Sequence, residues 1–324
     1  MPANLTPQYL EAEKAFRNAK STEEKIDCLE EMLAVMPKHK GTDHLRAELR
    51  TRMAKLTESL GKKTGGARVS MKIEKAGAAQ VAVIGPPNTG KSQILAAITS
   101  AKPTVAAYPH TTQTATPGMM QFENIQLQLI DTPPIGEQPP EWWLLNMIRR
   151  ADVVMILVSL AQDAIGPAEA IINLLKEKRI ELGNTLSGPD DEGPIYKKAL
   201  IVGNMADLDY GGNNFNALES HFAGKLSAIA ISAISSNLDN LKKKLYEILD
   251  VIRVYTKTPG SKADMTDPIV LAKGSTLEMA ATAIHKSLAQ KMKFARIWGL
   301  GKHDGVMVSR DHVLEDGDVI ELHV

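Results

Sequence analysis

Gly85-Pro86-Pro87-Asn88-Thr89-Gly90-Lys91-Ser92 has the spacing G-x-x-x-x-G-K-S, which suits a loop that cradles phosphates. Backbone N–H groups of such a loop, and the N-terminus of the helix after it, attract anionic oxygens. Lys91 would reach the β and γ oxygens of a nucleotide and serve in phosphoryl transfer, while Ser92 would place its hydroxyl on Mg2+. Gly85, Pro87, Asn88, Thr89, Gly90 and Gln93 complete the nucleotide-facing stretch. Further along, Asp131 ends the apolar run 125–130, where an acid holds Mg2+ through its coordination shell. An Asp that only caps a turn is the plainer alternative. Asn204-Met205-Ala206-Asp207 follows the apolar residues 200–202. A carboxylate at Asp207 can accept both the N1 and N2 hydrogens of guanine, which adenine does not present in that arrangement. Asn204 can tie this loop to the phosphate loop, and Ser232-Ala233 offers a small backbone loop at the other edge of the base.

These residues need a parallel sheet to position them, and the hydrophobic pattern supplies one. Short apolar runs at 81–84, 153–158 and 200–202 alternate with helical stretches such as 166–180 and 238–252. Strand–helix alternation of this kind predicts an α/β domain with a mainly parallel sheet and helices on both faces. Residues 1–62 read as two or three helices. Thr6-Pro7 and the capping box Ser21…Glu24 open two of them, with apolar stripes Ile26, Leu29, Leu33, Met36 and Leu45, Leu49, Met53, Leu56, Leu60. Gly61-Lys62-Lys63-Thr64-Gly65-Gly66 breaks the helical pattern and opens a basic linker, residues 63–78. The nucleotide-binding domain then spans 79–253 and a small α+β module spans 254–324. That module carries strands at 269–271, 294–297 and 319–322 and one helix at 276–291. Residues 183–194 read as a surface loop.

The chain has 324 residues, enough for two or three domains and a sizeable core. Lys plus Arg and Asp plus Glu each total 38, so no global charge draws the chain to a polyanion or a membrane. The run 153–160 is too short for a membrane span. Residues 1–8 lack the apolar stretch of a signal peptide, so a cytoplasmic setting is expected. Cys28 is the only cysteine and reads as a packed thiol. His285, His303 and His312 lack metal-ligand spacing.

The order of these elements resembles the Obg/Drg class of translation-associated GTPases, and most of all the developmentally regulated GTP-binding proteins. Besides the loops above, the residues that carry the resemblance are Ala106-Ala107-Tyr108-Pro109-x-Thr111-Thr112 and Ile125-Gln126-Leu127 leading to Asp131-Thr132-Pro133. The tail carries it further. Ile252-Arg253-Val254-Tyr255-Thr256-Lys257, Ile284-His285-Lys286, Trp298-Gly299-Leu300 and His312-x-Leu314-Glu315-Asp316-x-Asp318-Val319-Ile320 resemble the family's TGS module, a ubiquitin-like β-grasp fold.

The resemblance implies that Thr111 or Thr112 is the switch residue on Mg2+ and the γ-phosphate, and Thr112 is the choice. It implies K+ use through Asn88, for which a turn residue is an equal reading. Ile135 stands where many GTPases carry a water-orienting glutamine. Two departures matter: Asp131-Thr132-Pro133-Pro134 replaces D-x-x-G, and Asn204-Met205-Ala206-Asp207 replaces N-K-x-D. Met205 keeps an apolar stem for the base but has no ammonium, which should weaken nucleotide binding. Trp142-Trp143 either pack inward or anchor a regulatory protein, and packing is favoured. Lys286, Lys291, Lys293, Arg296, Lys302 and Arg310, with the basic linker, could form a face for RNA or the ribosome. The implied function is a slow Mg2+-dependent GTPase that binds GTP and GDP and acts with ribosomes or RNA. The alternative is a nucleotide-binding adaptor with little hydrolysis.

Overall fold

The computed structural model describes residues 7–19, 22–36, 42–63, 73–99, 106–107, 114–136, 140–184, 194–234, 238–299 and 303–323. The N-terminal helices are α1 (Pro7–Asn18), α2 (Thr22–Val35) and α3 (Asp43–Lys63). Their stripes meet in a small core of Tyr9, Ala12, Leu29, Met32, Met36 and Leu49, and Cys28 is buried as expected. The predicted break at Gly61 does not occur, because α3 runs through it to Lys63. One glycine costs a helix only about 1 kcal/mol. Thr6, Ser21 and most of the linker lie outside the described residues.

The second domain begins with β1 (Ala79–Ile84) and α4 (Lys91–Ile98). A short β2 (Ala106–Ala107) precedes the hairpin of β3 (Thr114–Phe122) and β4 (Ile125–Asp131). There follow α5 (Trp142–Arg150), β5 (Val153–Ser159), α6 (Ile165–Glu177), β6 (Ile180–Gly183) and β7 (Ile195–Asn204). After α7 (Asn213–Phe222), β8 (Ser227–Ala230) and α8 (Asp239–Leu249) close the domain. The sheet order is β2-β3-β4-β1-β5-β7-β6, with β8 also on β7; all pairings are parallel except those of β3.

Alternation along β1 divides the core into two layers. Ala82 and Ile84 face one layer with Leu144 and Ile148 of α5 and Ala168 and Ile171 of α6. Val81 and Val83 face the other, with Ile94 and Leu95 of α4 and Leu241 and Leu245 of α8. The expectation of helices on both faces therefore holds.

Two predicted helices were too long. Ile180 opens β6, and Val251 and Ile252 open a further strand, because apolar runs at a helix–strand junction fit either period. Residue 183 is strand rather than loop.

The last module holds β9 (Val251–Thr256), β10 (Asp264–Ala272), α9 (Leu277–Ile284), α10 (Lys286–Lys291), β11 (Phe294–Gly299), β12 (His303–Val308) and β13 (Val319–His323). Its sheet order is β10-β9-β13-β11-β12, with β9 and β13 parallel, and Leu277, Ala280 and Ala281 of α9 pack on it. The single predicted helix is two. His285 adopts an extended conformation, and its Nδ1 accepts the Ser287 amide to cap the second. Strand β9 straddles the boundary expected between residues 253 and 254 and joins the two domains physically. The Arg253 guanidinium bonds Asp316 at 2.7 Å, bonds Glu123 of the β3–β4 turn, and lies over the Tyr246 ring. Among the described residues no helix is long and apolar enough to cross a membrane.

Candidate functional site

Three loops leave the carboxyl ends of β1, β4 and β7, the edge of an open α/β sheet where ligands sit. The first runs from β1 to α4. Gly90 takes φ +85°, and a Cβ there would stand 2.5 Å from the Asn204 side-chain nitrogen. Gly85 has no room for a Cβ either, since it would meet the Leu157 carbonyl at 2.3 Å. The turn that results leaves the backbone amides of Asn88, Thr89, Gly90, Lys91 and Ser92 without an acceptor among the described residues. Such a concave row of free N–H groups at a helix start is an anion cradle. Thr89 is buried and bonds the Pro86 carbonyl through its hydroxyl, fixing the loop. The Lys91 ammonium bends back onto the carbonyls of Pro86 and Gly85, at 2.7 and 3.1 Å. Asn88 has φ +61°, and Pro87, Asn88, Ser92 and Gln93 are exposed.

Asp131 at the end of β4 completes the second element. Ser92 Oγ donates to its Oδ2 at 2.5 Å, and its buried Oδ1 has no partner among the described residues. Burial pushes the Asp131 carboxyl above its ordinary range, against the pull of Ser92 and then Lys91. Burial likewise lowers the Lys91 ammonium, with Asp131 opposing. A hydroxyl beside a carboxylate with one buried oxygen unsatisfied is a hard-oxygen pair that Mg2+ accepts. Thr111 and Thr112, the other expected contributors, lie outside the described residues. No cluster of three acids, cysteines or histidines forms among the described residues.

The turn after Asp131 is tied to the sheet. Thr132 donates its N–H and its hydroxyl to the Val83 carbonyl, at 3.3 and 2.8 Å. Pro133 and Pro134 have no N–H to give. Ile135 is buried and donates its amide to the Gly85 carbonyl at 3.0 Å. No residue from 132 to 135 therefore offers a free backbone donor. The anchoring roles of Thr132 and of the Ile135 amide were not read from the sequence.

The third loop is held by Asn204. Its side-chain nitrogen donates to the Thr89 carbonyl at 2.9 Å, and its oxygen accepts the Ala233 amide at 3.1 Å. One buried side chain thus joins the loop after β1, its own loop after β7 and the segment at Ala233 after β8. Met205 sits in the left-handed region at φ +63°, with Ser159 Oγ 3.3 Å from its sulfur. Asp207 is exposed, and the Ser232 hydroxyl is buried without a partner among the described residues. Ser159 escaped the sequence reading, although a polar residue ending an apolar strand in register with Asn204 is the signal that finds it. Asp209 escaped too; its carboxylate caps α7 by accepting the amides of Asn214 and Phe215.

Trp143 is buried, with its indole nitrogen on Glu141, so it packs rather than anchors a partner; the Trp142 side chain lies outside the described residues. In the tail, Lys291, Lys293 and Arg296 are exposed. Arg310 is instead engaged by the Met292 carbonyl and Glu278, while Lys302 and the Lys286 side chain lie outside the described residues.

Comparison with known proteins agrees with this geometry. Residues 80–185 match the family described as 50S ribosome-binding GTPase, and residues 252–324 match the TGS domain. GTP-binding protein 1 of Schizosaccharomyces pombe is 27% identical, over 92% of this chain and 98% of its own length. Developmentally-regulated GTP-binding protein 2 of Homo sapiens is 26% identical over the same shares. An uncharacterized GTP-binding protein of Halobacterium salinarum is 29% identical over 93% of this chain and 98% of its own. Among solved structures, the Schizosaccharomyces pombe YchF GTPase has the same fold, with a TM-score of 0.53 at 14% identity, over 78% of this chain and 100% of that one. With this domain pair and this likeness along nearly its whole length, the chain is a GTPase-fold protein with a C-terminal TGS domain, similar to the developmentally regulated GTP-binding proteins.

Proposed function

We propose that the chain binds GTP and GDP with Mg2+ at these loops, separates the two nucleotides weakly, and hydrolyses GTP slowly. The observation that carries the slow, weakly discriminating part is the turn 132–135, whose backbone donors are absent or already bonded. In this reading the free amides 88–92 receive the phosphates, and Lys91 turns from its loop carbonyls onto them. Ser92, Asp131 and Thr112 hold Mg2+, and Asp207 reads guanine. Gly85, Pro87, Thr89, Gly90, Gln93, Asn204, Met205, Ser232 and Ala233 shape the nucleotide pocket, and Lys91 and Thr112 serve the transfer. Asn88 is the residue through which K+ would act. Mg2+ supplies charge neutralisation at the transferring phosphoryl group when bound.

The same turn favours a second reading, an adaptor whose nucleotide is structural and whose helical and TGS modules do the work. Single-turnover hydrolysis by the pure protein, in Na+ or K+, separates the two. The proposal expects a slow Mg2+-dependent rate that Lys91→Ala removes. A rate no higher than that of Lys91→Ala leaves the adaptor.

For the partner we favour RNA, in a cytoplasmic ribosomal setting, reached through exposed Lys291, Lys293 and Arg296 and the basic linker. Phosphate contacts release counterions, so binding should fall steeply with salt and weaken when those three charges are reversed together. Affinity indifferent to both would remove the RNA reading.

A further inference from the structure

A cavity at the seam of the two domains lies away from the nucleotide loops. It has a volume of about 930 Å3 and is floored by the amino ends of β1, β7 and β8, with the end of α8 and strand β10 of the TGS domain as walls. Ile84, Ser159 and Asn204 mark the opposite, carboxyl ends of the strands that floor or neighbour it. The cavity is therefore distinct from the site described above.

Its charges fall into two similar clusters. In the first, Lys75 pairs with Asp152 at 2.8 Å, and the same carboxylate accepts the Gln80 amide. Half-buried Lys197 stands in the field of both, attracted by Asp152 and repelled by Lys75, and among the described residues its ammonium bonds only the Ala151 carbonyl, at 2.7 Å. In the second cluster, Lys198 and Lys273 share Asp250, at 3.9 and 3.7 Å. Lys198 keeps only 15% of its side chain exposed and donates to the Leu249 carbonyl. Lys244 and Glu247, also on the wall, pair with each other at 3.3 Å. Four ammonium groups thus share two carboxylates around one cavity, and two positive charges remain over. Each ammonium carries three N–H donors, most of them unspent. An uncompensated excess of charge in a partly desolvated cleft is costly unless an anion answers it.

We infer that this seam cavity binds the dianionic phosphate monoester of a small molecule of about mononucleotide size, held between the Lys75–Lys197 and Lys198–Lys273 clusters. A phosphate monoester carries close to two negative charges at neutral pH, and the volume lies within the range of small-ligand sites. Because Lys273 belongs to the TGS domain and the other three lysines to the GTPase side, the ligand also bridges the two domains.

The test uses full-length protein already saturated with GDP and Mg2+, titrated calorimetrically with AMP and with ribose 5-phosphate; adenosine is the neutral control. Saturable binding of both phosphate esters and none of adenosine is expected. Lys75 and Lys273 are both well exposed, with 49% and 72% of their side chains accessible, so reversing them does not threaten the fold. Lys75→Glu and Lys273→Glu should each weaken the phosphate esters about tenfold and leave GDP affinity unchanged. Lys197→Gln with Lys198→Gln should abolish binding. The inference is overturned if neither ester binds, if adenosine binds as well as AMP, or if both reversals leave affinity unchanged. Binding of RNA alone, with neither small ester, overturns it too.

Discussion

Residues 85–92 and residues 131–135 leave neighbouring parallel strands at the same edge of one sheet, yet their backbone donors end in different places. In the phosphate loop, two glycines and a left-handed Asn88 turn five consecutive amides away from every acceptor among the described residues. In the second segment, Thr132 continues the ladder to Val83, two prolines carry no donor, and Ile135 closes onto Gly85. One segment keeps its donors for a ligand, and the other uses them on its neighbour. Under the proposed function, nucleotide affinity resides in the first loop and in Asn204–Asp207, and the second segment lacks a contact by which GTP could be told from GDP. The difference also fixes the second segment mechanically. Its amide at Ile135 holds the very loop it would otherwise signal to.

The strongest way to break the comparison is at the base. If affinity resides in the donor-rich loops and their guanine reader, Asp207→Asn should lower GTP and GDP affinity together by two decades or more, about 3 kcal/mol. It should also admit xanthosine nucleotides, whose carbonyl matches the exchanged donor. Competition binding with the four nucleotides checks this; ATP bound as tightly as GTP by the wild type would defeat the assignment. A smaller effect sharpens the same side. Met205→Lys restores an ammonium at a residue already in the left-handed region, where either unbranched side chain meets the same strain. Affinity for GTP and GDP should rise together by a few-fold, about 0.5–1 kcal/mol. A rise for GTP alone would show that this loop, too, senses the γ-phosphate.

The parts of the site visible in the sequence are those written as local strings. Gly85 to Ser92, Asp131 and Asn204 to Asp207 state their chemistry through residue type and spacing, and the structure brings Thr89, Asn204 and Ala233 together through one side chain. The fold was legible where apolar runs were bounded, as at 81–84 and 153–158. It was not legible at Ile180 and Ile252, where a helix passes almost directly into a strand and the apolar residues serve both. Strands β3 and β12 were missed because neither has a sustained apolar run; Thr114 to Phe122 contains a proline and a glycine. Pro134 announced a missing donor in the sequence, but the loss of Ile135 could not be read there. Its amide is spent through backbone geometry, and no side chain records that.

The central claim, that the second segment offers the γ-phosphate no backbone donor, is tested most directly by the ratio of GTP to GDP affinity in the wild type and in Pro134→Gly. A charge-assisted hydrogen bond is worth about 1.5–3 kcal/mol, which corresponds to roughly one to two decades. The wild type should bind the two nucleotides nearly equally, and Pro134→Gly should favour GTP by about ten- to a hundredfold, with faster single-turnover hydrolysis because the restored amide meets charge that develops in transfer. A wild type that already prefers GTP by that factor, and hydrolyses it as fast as Pro134→Gly, would contradict the account.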